Sequence, residues 1–332
     1  MNPTAEDGAA PAPVRGWAAA SAGQGHAALL YEDSTALLAA TTPFLQAGLD
    51  SGDLTVLALR PELAEVVGGA LGERVGSVES DTRLCLLGAR APDAFVAVRR
   101  AVERSAVTGN GRLRVVGEPG LGHSDVDSRE AVRFEAAVNA VLAGAPVSAL
   151  CVYDRAVLDE PLVGQVCATH PQLAVGDALL DNPRFREPAT VLRSLPVPRE
   201  PLEDTAPVLA VDGAAVLAEL RGRLRAALTA VVADAELHED LLLAVSEVAA
   251  NAFRHGRPPV SARLWADGHR LICTITDSGR GYDDPLAGFR PAHGDDLSRG
   301  GMGLWLARKL WDSVDLDNDG PGLTVRLSTA LA

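Results

Sequence analysis

The sequence predicts two α/β domains: a parallel sheet covered by helices, followed by a smaller α/β sandwich. Three observations carry that expectation. Short apolar runs alternate with amphipathic segments through residues 21–186, and continuous apolar strands separated by helices indicate a parallel sheet buried on both faces. A stretch holding Pro188, Pro196, Pro198 and Pro201 then interrupts the alternation. Beyond it the order changes to two helices, two strands, a glycine-rich stretch, a helix and two final strands. At about 150 residues per domain, 332 residues accommodate two, and a hydrophobic content of 47% supplies both cores.

Residues 1–20 read as a flexible tail, with Glu6, Asp7 and several prolines where a signal peptide would have a basic start and an apolar core. The strand-like runs are Ala27–Tyr31, Leu54–Leu59, Leu84–Leu87, Leu113–Val116 and Val147–Tyr153. Helical periodicity covers 34–48, 62–71, 92–107 and 128–143. The last of these opens on Asp127-Ser128-Arg129-Glu130, a capping-box pattern, and places Ala131, Phe134, Val138 and Val141 on one face. The uncharged run from Ala136 to Tyr153 reaches the length of a membrane span. Gly144-Ala145-Pro146 divide it into a helix end, a turn and a buried strand, so no membrane segment is expected. Residues 187–206 are expected to form a semi-extended linker. In the second domain, 207–332, the pattern predicts helices over 212–232, 236–255 and 302–312, with strands near 259–266, 270–276, 313–317 and 322–329.

Composition excludes several functions. Thirty basic residues against 44 acidic ones give a net charge of −14 and a pI near 4.9, without the basic stripe of a nucleic-acid-binding protein. Lys309 is the only lysine and Leu310 follows it, so there is no Gly-Lys-Ser/Thr phosphate loop. Cys85, Cys151, Cys167 and Cys273 stand apart among apolar neighbours, as expected of buried thiols in a reducing cytoplasm.

Three blocks in the second domain carry chemistry. In Glu247-Val248-Ala249-Ala250-Asn251-Ala252-Phe253-Arg254-His255-Gly256, the residues Glu247, Asn251 and His255 recur every fourth position and share a helix face. A carboxylate and a carboxamide so placed can orient a hydroxyl and offer an oxygen to Mg²⁺. In Ile275-Thr276-Asp277-Ser278-Gly279-Arg280-Gly281, a strand ends on an acid able to accept a hydrogen bond from an exocyclic amine, and the glycines leave room for a ring. In Arg299-Gly300-Gly301-Met302-Gly303-Leu304, glycines precede and open a helix whose N–H groups can receive phosphates. Each block is a weak signal alone. Their order and spacing make the case.

The combination resembles the nucleotide-binding boxes of the GHKL (Bergerat) ATP-binding fold of gyrase and histidine kinases, over roughly residues 207–330. The closest likeness is to the anti-sigma-factor serine kinases, whose Glu-x-x-x-Asn-Ala-x-x-His-Gly pattern is matched at Glu247, Asn251, Ala252, His255 and Gly256. The resemblance implies ATP and Mg²⁺ as cofactors. It makes Glu247 the catalytic base and Asn251 the metal ligand, with Asp277 on the adenine amino group and Gly279 and Gly281 beside it. It puts Arg299, Gly301 and Gly303 at the phosphates, Thr324 near adenine, and residues 282–298 in an ATP lid. The implied reaction is phosphorylation of Ser or Thr on an anti-sigma-factor antagonist of the STAS type, with a sigma factor as a second partner and a homodimer as the assembly. No histidine occurs between 187 and 235, which disfavours a self-phosphorylating histidine kinase. The competing expectations are a non-catalytic ATP-dependent binding switch and a histidine-kinase-like protein without its own phospho-acceptor domain.

The first domain resembles the MEDS sensory domain, a RecA/KaiC-like fold here without a phosphate loop. The likeness rests on Gly25-His26-Ala27-Ala28-Leu29-Leu30-Tyr31-Glu32-Asp33, Arg114-Val115-Val116-Gly117-Glu118, Cys151-Val152-Tyr153-Asp154-Arg155 and Thr169-His170-Pro171. It implies that the domain senses a small molecule or a partner. The carboxyl ends of the strands offer Arg60, Glu118, Asp154 and Arg155 as ligand-facing residues. His26, Cys151 and His170 read as structural residues.

Overall fold

The computed structural model describes residues 15–16, 25–121, 128–197, 199–290, 302–318, 320 and 322–331. It divides into two compact units. One comprises Met1–Thr82, Arg100–Gly122 and Leu142–Arg186; the other comprises Arg83–Arg99, His123–Val141 and Glu187–Ala332.

The strands are β1 (Arg15–Gly16), β2 (Gly25–Tyr31), β3 (Leu54–Ala58), β4 (Glu79–Ser80), β5 (Leu113–Gly117), β6 (Val147–Asp154), β7 (Gln172–Val175), β8 (Ala178–Asp181), β9 (Leu209–Ala214), β10 (Val260–Ala266), β11 (Arg270–Thr276), β12 (Ser313–Asp317) and β13 (Thr324–Ala330). The helices are α1 (Ser34–Ser51), α2 (Pro61–Gly69), α3 (Ala91–Thr108), α4 (Ser128–Val141), α5 (Glu160–Thr169), α6 (Pro188–Ser194), α7 (Leu217–Val231), α8 (Ala235–Arg254) and α9 (Gly303–Leu310). Among the described residues, no helix is long and apolar enough to cross a membrane.

The first unit holds an eight-stranded sheet in the order β1-β8-β7-β2-β6-β5-β3-β4. Its centre is parallel, and the β7–β8 hairpin adds antiparallel pairs at one side. Alternate residues of β2, Ala27, Leu29 and Tyr31, enter a core with Leu37, Phe44 and Leu45 of α1. Asp33 caps α1 by accepting a bond from the Ala36 N–H at 2.8 Å. Arg114 crosses the interior of this unit, paired with Asp53 at 2.9 Å and stacked over Phe44 at 4.8 Å. Gly48 is the residue that lets it pass, because a Cβ there would lie 2.4 Å from the Arg114 side chain.

Glu118 follows β5, is almost fully buried, and is held by Arg60 among its partners, through the backbone N–H at 3.2 Å and the guanidinium at 3.3 Å. Asp154 closes a turn on the Ala156 N–H, while Arg155 bonds the Leu158 carbonyl and Glu160. Two expectations change here. Leu84–Leu87 is not a strand: Thr82–Leu84 is a 3₁₀ turn. The β7–β8 hairpin was not foreseen, because four-residue strands are too short to show a period.

The second unit holds a five-stranded antiparallel sheet in the order β12-β13-β11-β10-β9. Residues 209–214 form a strand rather than the start of the helix expected over 212–232. Leu209 and Val211 are buried while Ala210 and Asp212 are exposed, an alternation of period two, and Gly213 at φ +70° marks an irregular end to the pairing with β10. One sheet face packs on α7, α8 and α9 through Leu220, Leu224, Leu241, Val245, Leu264, Ile275, Trp311 and Leu327.

The other face carries charge. Arg326 of β13 lies opposite Asp315 of β12 and bonds it at 2.6 and 2.9 Å. Arg133 of α4 bonds both Asp315 and Glu130, and Glu203 accepts from Arg326 at 2.8 Å. The proline-rich segment after residue 187 is pinned to the same sheet. Glu200 pairs with Arg270 at 3.0 Å, and the Trp265 indole N–H donates to the Thr205 carbonyl at 3.2 Å. Lys309 pairs with Asp93 and lies over the Trp305 ring at 5.3 Å.

Candidate functional site

Asp234 caps α8 through the Leu237 N–H at 2.7 Å, and the helix runs without a breaker to Arg254. His255 closes it by donating its N–H to the Asn251 carbonyl at 2.8 Å. This ending fixes Asn251 at the last full turn, beside the start of α9. A Cβ on Gly303, the first residue of α9, would lie 2.4 Å from the Asn251 carboxamide and 3.3 Å from the Glu247 carbonyl. Glycine at 303 therefore allows α9 to approach α8 closely at the point where Asn251 emerges.

Asp277 follows β11 and is 5% exposed. Its N–H donates to the Leu323 carbonyl at 3.0 Å, and one carboxylate oxygen accepts from the Gly279 N–H at 2.6 Å. A Cβ on Gly256 would sit 2.3 Å from the Asp277 carboxyl carbon, and one on Gly279 would sit 2.7 Å from its oxygen. Gly279 thus makes room for the carboxylate itself. Gly281, at φ +80°, backs instead onto Asn318, whose side-chain oxygen also accepts from the Tyr282 N–H at 2.9 Å.

At Gly322 an added Cβ would come within 2.0 Å of the Asp277 carbonyl oxygen, a backbone atom that cannot swing away. Gly322→Ala is therefore expected to destabilise the second unit by about 1–3 kcal/mol through overpacking. Gly320→Ala, where nothing lies within 4 Å of the added carbon, is expected to change stability by less than about 0.5 kcal/mol. Urea unfolding followed by tryptophan fluorescence compares the two. Equal midpoints for both variants would remove this account of the Gly322 site.

Asn251, Asp277 and Gly281 line one cavity of about 560 Å³, together with Val248, Ile275, Leu304, Leu323 and Val325. Those five residues are apolar, Asp277 supplies a fixed acceptor, and His255, Arg280, Asp284 and Arg290 also stand among the lining residues. Glu247 lies one turn before Asn251, outside this lining. Its carboxylate is about one-third exposed and lies 3.7 Å from the Arg221 guanidinium of α7. Thr324 is on the opposite face of β13 from the cavity-lining Val325, with its hydroxyl 2.9 Å from that of Thr276. Arg299 and Gly301 lie outside the described residues, as does the second half of the expected lid.

Sequence reasoning did not single out Arg280, Tyr282, Arg290 or Leu323 as cavity residues. Arg280 had a signal, since it stands inside the Asp-Ser-Gly-Arg-Gly block. Tyr282 and Arg290 fell within the lid expected over 282–298 without being singled out, and Leu323 had no signal, because it reaches the cavity through the return of β13.

An antiparallel sheet backed by helices, with a buried acid after its central strand and an Asn on the facing helix, defines a GHKL ATPase-type domain. Residues 212–329 match the family model of the histidine kinase-like ATPase domain. Residues 25–171 match the model of MEDS, the methanogen/methylotroph, DcmR sensory domain. The chain thus carries a MEDS domain followed by a histidine kinase-like ATPase domain. Among curated proteins it is similar to the serine-protein kinase RsbW of Bacillus velezensis, 35% identical over 104 residues, and to that of Bacillus subtilis, 36% identical over 104 residues. Each match covers 28% of this chain, and the chain spans 64% of the length of either relative.

Proposed function

We propose that the second unit binds Mg-ATP in the Asp277 cavity and transfers the γ-phosphoryl group to Ser or Thr of an anti-sigma-factor antagonist of the STAS type. The first unit would regulate that transfer in response to a small-molecule signal, and a sigma factor would be a second partner. The observation that carries this reading is the Asp277 carboxylate, buried and held by backbone in a cavity that Val248, Ile275, Leu304, Leu323 and Val325 also line. That chemistry fits a flat heteroaromatic ring bearing an amine: apolar walls cover the faces, and one charged acceptor reads the exocyclic N–H. The two curated relatives named above are serine-protein kinases by name, which supports the choice of hydroxyl acceptor.

Asn251 is the residue suited to hold Mg²⁺, by its carboxamide oxygen, and the ion would neutralise charge on the phosphates. Glu247 would take the proton of the attacking hydroxyl as the new O–P bond forms and ADP leaves. Arg280 and Arg290, which line the cavity of a chain with net charge −14, would be the cations to meet phosphate oxygens. The direct test is incubation of the full chain with labelled ATP and an antagonist protein, followed by mapping of the phosphorylated residue. Intact ATP binding with no phosphoserine or phosphothreonine would leave the second reading, a non-catalytic switch. The Glu247–Arg221 pair favours that alternative, since it gives the carboxylate a structural use.

Asp277→Ala tests the nucleotide pocket separately. Loss of a hydrogen bond to a charged acceptor costs about 1.5–3 kcal/mol, so ATP affinity measured by calorimetry is expected to fall about 10- to 100-fold. Unchanged affinity would place the adenine elsewhere.

A further inference from the structure

The first unit brings together three residues that read as structural in the sequence. His26 is the second residue of β2, Cys151 lies in β6, and His170 follows α5 just before β7. The sheet order β7-β2-β6 makes these strands neighbours, with Ala28 opposite Cys151 and Ala27 opposite Gln172. The three side chains are buried, His170 completely. The His26 and His170 rings stand 4.2 Å apart between centroids. Cys151 Sγ is 3.5 Å from His26 Nε2, and one ligand atom from each residue lies within 4.8 Å of the others.

Two details go beyond coincidental packing. Bonds of about 2.3 Å to sulfur and 2.0–2.1 Å to nitrogen, at a tetrahedral angle, set a sulfur–nitrogen separation of about 3.5 Å, which is the Cys151–His26 distance. His170 is oriented as a metal-binding imidazole is: its Nδ1 lies 2.8 Å from the Val166 carbonyl, an obligate acceptor, so Nδ1 carries the proton and Nε2 the lone pair. That Nε2 faces the Tyr153 hydroxyl at 3.5 Å. The His170 backbone is held in turn, because Asn182 donates to its carbonyl at 2.7 Å.

We propose that His26, Cys151 and His170 bind one thiophilic divalent transition-metal ion, zinc foremost, through Nε2, Sγ and Nε2. Two imidazoles and a thiolate are a zinc-type donor set, whereas calcium and magnesium take oxygen. Binding replaces the Cys151 S–H bond by an S–metal bond and releases one proton to solvent.

The full chain titrated with Co²⁺ as a spectroscopic probe should bind one equivalent and show a sulfur-to-cobalt charge-transfer band, and Zn²⁺ should bleach it. Cys151→Ser should abolish the band and weaken zinc binding about 100-fold, His26→Gln should weaken it about 10- to 100-fold, and Cys167→Ser should leave both intact. A second measurement needs no variant: Zn²⁺ should protect Cys151 of the native chain from alkylation, read by mass spectrometry. Absence of the charge-transfer band in the native chain, or its survival in Cys151→Ser, would overturn the site and leave a hydrogen-bonded cluster. Lack of zinc protection at Cys151 overturns it equally.

Discussion

Glu247→Gln is expected to lower phosphoryl transfer by about 10²- to 10⁴-fold, the contribution typical of a general base, while ATP affinity stays within about threefold. The amide keeps the size and the helix position of the side chain but cannot accept the hydroxyl proton. The separation of the two effects follows from placement. Asn251 and Asp277 line the cavity, whereas Glu247 stands one turn earlier on α8, partly exposed and outside the lining, where an incoming hydroxyl would approach. Single-turnover transfer to an antagonist protein at saturating ATP measures it. Transfer at the native rate would show that the Glu247 carboxylate serves the ion pair with Arg221 and no chemistry. Arg221→Ala is the companion variant: it removes the partner but keeps the carboxylate, and transfer should survive.

Asp315→Asn is expected to cost the second unit about 3–5 kcal/mol, because it breaks a buried ion network by removing one partner. Asp315 is 1% exposed and bonds both Arg133 and Arg326. Burial alone would raise its carboxyl pKa, but the charges of Arg133, Arg326 and Arg129 outweigh burial and hold it below 3.8, the ordinary value. A carboxyl group whose pKa is depressed on folding contributes stability in full above its unfolded value, and that contribution is lost as pH falls through the folded one. Native stability should therefore fall on acidification below about pH 4, and the variant should show a shallower fall. Urea unfolding reports this unit well, since Trp265, Trp305 and Trp311 all belong to it. An unchanged midpoint at neutral pH would mean that the arginines find other partners.

Much of the site was legible because its parts are local. Glu247 and Asn251 share a face by the helical period, and Asp277 directly follows an apolar strand. The glycines were legible as glycines but not in their contacts. Gly279 accommodates the Asp277 carboxylate, Gly281 backs onto Asn318, and Gly303 admits the Asn251 side chain. Those partners lie up to 52 residues away (303 − 251), and no local pattern encodes such distances. Thr324 shows the same limit. Its motif position was readable, but the register of β13 with β11 turns it to the Thr276 side, while Leu323 and Val325 reach the cavity. The strand at 209–214 escaped notice for a different reason: its last three residues fell inside the helix expected from 212, and the three left over are too few to show an alternation.

By itself, the sequence determined the two α/β folds, the absence of a phosphate loop and the helix–acid–glycine order of the nucleotide boxes. Each depends on residue type and short spacing, which local backbone geometry translates directly. Only the tertiary structure decided that α4 joins the second unit through Arg133 and Asp315, that Lys309 pairs with Asp93, and that His26, Cys151 and His170 converge. Those contacts arise from strand order and from the pairing of buried charges. Both are settled by burying the whole chain at once, and neither leaves a period in the sequence.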